Sequence, residues 1–112
     1  MATFHPDATK KSNDAISNFV GSPLSGDLAQ VPGVGDSCIS TLKRAGIENL
    51  YQLIAKYLSF KEDGIECVEH HEAFYVWLKE IGVTAHRATI TNSIGEKMNL
   101  VFPGIFDSSY YA

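Results

Sequence analysis

The stretch Val31-Pro32-Gly33-Val34-Gly35 limits the folding of this chain more than any other. Proline lacks a backbone N–H and its ring clashes with the preceding turn, so no continuous helix runs through Pro32. Two glycines two positions apart permit a sharp turn and the close approach of another backbone. Both flanks read as helix: a brief one ending at Val31 with Ser25 as its N-cap, and a second from Asp36 that stops at Gly46. A helix opening directly after such a turn presents amides without internal partners, and these carry partial positive charge. Gly33, Val34 and Gly35 are therefore candidates for a nest that holds an anion such as a DNA phosphate. The same spacing also serves a plain helix–helix connection in which glycine supplies only backbone geometry.

Helical periodicity accounts for most of the remaining chain. A first helix is predicted over Asp7 to Val20, capped by Asp7 or Thr9, with Ala8, Ala15, Ile16, Phe19 and Val20 facing inward and Lys10 and Lys11 near its start. Leu50, Leu53, Ile54, Tyr57 and Leu58 recur at helical spacing and predict a strong core stripe. The acidic run Lys61 to His71 contains Gly64 and reads as a solvated loop. An aromatic helix follows from Glu69 or His71 to Ile81, closed by Gly82. Thr84 is the expected N-cap of a last long helix through Ala85, Ala88, Ile90, Ile94, Met98 and Val101, ended by Pro103. The fold class is all-α, a compact bundle of about five to six helices with the hairpin motif over 27–46. One helical domain is expected over 7–103, with a flexible N-terminus at 1–6, an acidic insertion at 61–71 and a C-terminal tail at 104–112. The aromatics of that tail dock on its own domain, join a neighbour or stay free.

The formal charge is −4, but five of the 13 acids (Glu62, Asp63, Glu66, Glu69 and Glu72) sit in one segment, and eight acids face nine Lys and Arg elsewhere. Global charge therefore neither supports nor excludes a nucleic-acid partner, because local convergence of positive groups decides that. Lys43 and Arg44 lie roughly 12 Å from the hairpin along a helix rising ~1.5 Å per residue, and they serve the helix dipole there. No apolar run is long enough for a membrane span, and the first residues lack the pattern of a secretion signal, so an intracellular place in nucleus or cytoplasm is expected. Free thiols are then expected at Cys38 and Cys67. Cys67, His70 and His71 supply too few ligands for a structural zinc, so no metal and no cofactor is assigned. No Ser-His-Asp or Cys-His pairing is suggested by spacing, the hairpin lacks the Lys and Ser/Thr of a nucleotide-binding loop, and no catalytic residue is nominated.

Taken in order, Pro23-Leu24, Leu28, Gly33-Val34-Gly35-Asp36, Leu42 and Gly46, Tyr57-Leu58, Lys61, Phe74-Tyr75-Val76-Trp77-Leu78-Lys79-Glu80 and Ala85 resemble the barrier-to-autointegration factor family, whose hairpin is a helix-hairpin-helix motif. The resemblance covers about Pro23 to Phe102. It implies a helical domain that forms a homodimer and bridges double-stranded DNA through backbone phosphates, without base specificity. Carried over position by position, it implies contacts from Gly33, Val34 and Gly35, from Lys10 or Lys11, and from Ala85, His86 and Arg87. The chain departs from the family pattern at Ser40 and Thr41, where lysines are frequent, and at Thr89, where an arginine is frequent. The acidic segment from Glu62 to Glu72 and the tail beyond Pro103 are additions, and either is a candidate surface for a protein partner. The alternative is a protein-interaction or self-association module of the same fold that has lost DNA binding.

Overall fold

Five α-helices carry the core of a computed structural model, which describes residues 4–8 and 13–111. They are α1 (Asn13–Gly21), α2 (Asp36–Arg44), α3 (Leu50–Ser59), α4 (Cys67–Ile81) and α5 (Arg87–Val101), with single 3₁₀ turns at Pro6–Ala8, Leu28–Gln30 and Ser108–Tyr111. No strand occurs among the described residues, so the fold is all-α.

Local chemistry sets most helix ends. Asn49 caps α3 by accepting from the Gln52 amide at 2.9 Å, and Leu50, Leu53, Ile54 and Tyr57 are buried as their spacing requires. α2 and α4 end alike. Gly46 and Gly82 adopt φ of 91° and 107°, and the next residue, Ile47 or Val83, donates back to Leu42 or Leu78 at 2.9 and 3.0 Å. This left-handed stop satisfies the last carbonyls and turns an apolar residue into the core, where Ile47 and Val83 are both buried.

Several starts differ from the sequence expectation. The brief helix before the hairpin is a single 3₁₀ turn capped by Asp27, whose Oδ1 accepts from the Ala29 amide at 2.9 Å. Ser25 instead donates its hydroxyl to Gln30 Oε1 at 3.0 Å. The stretch expected as a first helix from Asp7 appears as the turn at Pro6–Ala8 and as α1 from Asn13, and its Thr9, Lys10 and Lys11 lie outside the described residues. α4 begins at Cys67, with the Glu69 side chain accepting from the Glu66 amide at 3.5 Å. Acidic residues here open a helix rather than solvate a loop, because carboxylates suit the positive end of the dipole. His70 and His71 are consequently buried. Thr84 does not cap α5; His86 does, in a left-handed conformation with φ 62°.

α5 lies at the centre, against α1, α4 and the turn at Pro6–Ala8. Ala88, Thr89, Ile90, Thr91, Ser93, Ile94, Gly95, Lys97 and Met98 are all buried, so the helix is enclosed around most of its circumference. Burying Lys97 requires acceptors. Its Nζ donates to the carbonyls of Phe19 and Val20 at 2.8 and 2.9 Å and also to that of Ser22, which caps the C-terminal end of α1 with a cation. Gly95 permits close approach on another side: a Cβ there would meet the Phe106 ring at 2.9 Å and His71 Nε2 at 3.1 Å.

The domain extends past the boundaries read from sequence. Phe4 and Phe106 are 2% exposed, and their rings lie 6.3 Å apart. The C-terminal segment docks on its own domain, turned back after α5 by Asn99 Oδ1, which accepts from the Gly104 amide at 2.8 Å. Apolar demand for burial explains both extensions, since Phe4, Ile105 and Phe106 would otherwise face water.

Two substitutions test this packing. Lys97→Met leaves the α1 carbonyls without a donor and is expected to lower stability by about 1–3 kcal/mol in urea denaturation. Gly95→Ala raises helix propensity by ~1 kcal/mol, yet it is expected to destabilise by about 1–3 kcal/mol through overpacking against Phe106 and His71. A stabilised variant would contradict the close approach.

Candidate functional site

The sequence-predicted residues meet, in part, in a cleft of about 140 Å³ lined by the hairpin, the first turns of α2 and the link from α4 to α5. Its construction starts at Pro32. The Val34 amide donates to the Val31 carbonyl at 3.0 Å and closes the turn, and Gly33 takes φ 92°. Gly35 then stands at the N-cap of α2 in an extended conformation, with no side-chain cap. The first bond of the helix runs from the Ile39 amide to the Gly35 carbonyl at 2.9 Å, which leaves the amides of Asp36, Ser37 and Cys38 ahead of the ladder.

The opposite wall comes from the link between α4 and α5. Val83 finishes the left-handed stop of α4, and the chain passes through Thr84 and Ala85 to His86. His86 has positive φ, uncommon for a residue with a Cβ, and its carbonyl accepts the first α5 bond from the Ile90 amide at 2.9 Å. No side chain caps this helix either. Gly33 joins the two walls: a Cβ on it would lie 2.9 Å from His86 Cβ and 3.4 Å from both the His86 carbonyl and Ile90 Cγ1. Glycine is needed at position 33 both for its backbone angle and for this contact. A Cβ on Gly35 meets nothing within 4 Å.

Gly33, Gly35, Ala85 and His86 therefore line one cleft, together with Ser37, Cys38, Thr41, Gly82, Val83 and Thr84. Val34 contributes differently from expectation. Its side chain is in the core and its amide is engaged within the turn. Arg87 does not line the cleft: its Nη1 donates to the Val83 carbonyl at 2.8 Å, and its guanidinium lies 5.5 Å from the Tyr75 ring centre. Lys10 and Lys11 lie outside the described residues. Ser37 carried no motif in the sequence, while Thr41 entered only as a departure from the family pattern and Thr84 only as an expected cap.

The electrostatics of the cleft rest on backbone. None of its lining residues is Lys, Arg, Asp or Glu. Burial pushes the Cys38 thiol up, so it is neutral. Asp36, exposed in the first turn of α2, is the nearest acid in sequence. Thr41 and Thr89, at positions where the resemblance implies cations, are buried. Two helix N-termini facing a small cleft favour a compact anion. The volume is well below the roughly 300–1,000 Å³ of pockets that enclose cofactors or drug-sized ligands.

A second constellation is revealed only by α4. Cys67 and His71, four residues apart on one helix, bring Sγ to 3.7 Å from Nδ1, a Cys–His proximity that reading this stretch as loop could not anticipate. The same Nδ1 lies 2.8 Å from the Cys67 carbonyl, which only accepts, so it carries a proton and is no base for the thiol. Burial also raises the Cys67 thiol above the ordinary range. Among the described residues, no group of three or more His, Cys, Asp or Glu is placed to hold a metal ion.

Alanine at the two hairpin glycines separates their roles. Gly33→Ala is expected to lose about 1–3 kcal/mol of stability from its positive φ and the His86 contact. Gly35→Ala is expected to stay within about 0.5 kcal/mol of the parent in the same denaturation experiment. Compared with known proteins, the chain matches no family model, no curated protein and no solved structure.

Proposed function

We propose that this protein binds double-stranded DNA through backbone phosphates, without base specificity, and has no catalytic role. The observation that carries the reading is the cleft between two helix N-termini without side-chain caps, closed by the Gly33–His86 contact. Amides aimed at one small space recognise the charge and tetrahedral shape of a phosphate and ignore the base beyond it. The contacts assigned to this chain are Gly35 and the first amides of α2, with Gly33, Ala85 and His86 completing the wall. In this reading Val34 and Arg87 serve the frame. Affinity is modest, because no fixed cation lines the cleft.

A homodimer belongs to the same reading, since two such clefts on one particle bridge two duplex segments. Its support is a pair of adjoining apolar grooves. One of about 710 Å³ is lined by Leu58, Val101, Phe102, Pro103 and Ile105 among others. The next, of about 550 Å³, includes Ile65, Cys67, Val68 and Tyr110 and shares Lys61, Gly104 and Ile105 with it. Val68, Val101, Phe102 and Tyr110 are large apolar side chains left exposed along these grooves. A surface of this kind favours self-association. It also favours the second reading, a protein-interaction module without DNA binding, if the cleft proves silent. No helix among the described residues is long and apolar enough to cross a membrane. A nuclear place follows only if the DNA reading holds.

Duplex titration of Gly35→Glu decides between the readings, because that position has room for a side chain. Parent affinity is expected to fall roughly 3- to 12-fold between about 50 and 200 mM salt, as one or two phosphate contacts require, and Gly35→Glu is expected to weaken it at least about tenfold at low salt. Unchanged affinity in Gly35→Glu would overturn the cleft assignment. In sedimentation, the Val101→Glu/Phe102→Glu pair is expected to yield monomer; a parent that is already monomeric at every concentration would remove the dimer.

A further inference from the structure

Both ends of the described chain cover His71, one of a buried pair of histidines. His70 and His71 on α4 are wholly buried, with ring centroids 4.5 Å apart. Their hydrogen bonds define their protonation. His71 Nδ1–H donates to the Cys67 carbonyl, so Nε2, 2.6 Å from Tyr57 Oη, accepts the tyrosine proton. His70 Nε2 lies 2.9 Å from the Tyr57 carbonyl and therefore donates, which leaves Nδ1 a bare lone pair, buried and without a partner. Both rings are neutral.

No carboxylate contacts either imidazole among the described residues. Tyr57 faces them from α3, and Cys67 from α4. Glu72, also on α4, accepts the Phe4 amide at 2.7 Å. Lys61, before α4, donates to the Ile65 carbonyl at 2.8 Å. Asp107 accepts the Ser109 amide at 2.9 Å. The nearest wall of α5 is Gly95, which has no side chain. Asp7 Oδ2 lies 3.7 Å from His5 Nδ1.

The lid over His71 comes from the two terminal segments. The Phe106 ring lies 4.6 Å from that of His71, and Phe4 stacks at 6.3 Å. Phe4 meets Tyr111 edge-on at 5.5 Å, and His5 Nε2 lies 3.1 Å from the Tyr111 carbonyl, so the two segments also hold each other. The Tyr111 hydroxyl is buried beside the Cys67 thiol.

We propose that these segments form an acid-released clasp: protonation of the His70–His71 pair drives residues 4–8 and 105–111 off α4 and α5 while the helices remain folded. A proton on His70 Nδ1 would meet no acceptor, and a second charge 4.5 Å away would repel it, so the protonated pair requires water. The clasp is the layer whose removal admits water without unfolding a helix.

The sign follows from linkage. Burial holds both imidazoles below their ordinary range, His71 at about 4. With the clasp open they return to about 6.5 and bind protons more readily. The closed form is therefore undiminished above about pH 7 and is progressively disfavoured as pH falls from about 6.5 to about 4. For His71 alone the ratio of closed to open drops roughly 30-fold by about pH 5, and His70 acts in the same direction.

Fluorine NMR of the full chain carrying fluorophenylalanine, with the Phe4 and Phe106 signals assigned by single Leu variants, tests this alongside far-UV circular dichroism. Both signals are expected to move to exposed positions between about pH 6.5 and about 4.5, in step with the His70 and His71 ring-carbon shifts and at constant helicity. In His71→Gln, which keeps an acceptor for Tyr57 but takes no proton, the transition is expected to move to lower pH. The proposal is overturned if the signals hold until helicity is lost, or if His71→Gln and His70→Gln open at the parent pH. Should a variant fail to fold at neutral pH, the parent decides alone, because separate midpoints for the histidine and phenylalanine signals also overturn it.

Discussion

A helix enclosed on nearly every side has to satisfy polar groups that an ordinary surface helix leaves to water, and on α5 Ser93 and Lys97 find carbonyl acceptors while the Thr91 hydroxyl is buried without one. Ser93 returns its hydroxyl to the Thr89 carbonyl at 2.7 Å. Lys97 places its charge at the C-terminal end of α1, where free carbonyls and the negative end of a dipole already call for a cation. The other elements are arranged around this helix. α4 approaches it at Gly95, the N-terminal turn lies against it, and the hairpin meets its N-cap His86 and its first turn at Ile90 through Gly33.

That last contact links folding to the site. Gly33 holds His86 in an unusual left-handed conformation, and this conformation starts α5 beside the start of α2. The first turn of α2, which carries Asp36, and the N-cap of α5 then border one cleft. The absence of Lys and Arg from the lining sets this cleft apart from a basic patch. The buried threonines at 41 and 89 belong to the same economy of charge.

Much of the architecture was legible because its determinants are local. The α3 stripe, the glycine stops at 46 and 82 and the end of α5 before Pro103 depend on neighbours within a few residues. Errors clustered where two local signals competed. Ser25 and Thr84 are good caps by composition, yet Asp27 and His86 occupy those places, since the hairpin and the α4 stop set where the following turn begins. The acidic run from Glu62 obscured the start of α4 because the same charges suit both a solvated loop and a helix N-terminus.

By itself the sequence determined the all-α class, the break at Pro32 and the need for glycine in the hairpin, all of which follow from backbone sterics and apolar period. Only the tertiary structure decided which separated segments meet. The convergence of Gly33 with His86, the burial of His70 and His71, the capping of α1 by Lys97 and the joining of Phe4 to Phe106 each span dozens of residues. Long-range pairing of this kind leaves no periodic trace in the chain, because it is set by which faces pack and not by the spacing along any one of them. Arg87 is the clearest case. Its place next to His86 was readable, but its engagement by the Val83 carbonyl and the Tyr75 ring was decided only in space.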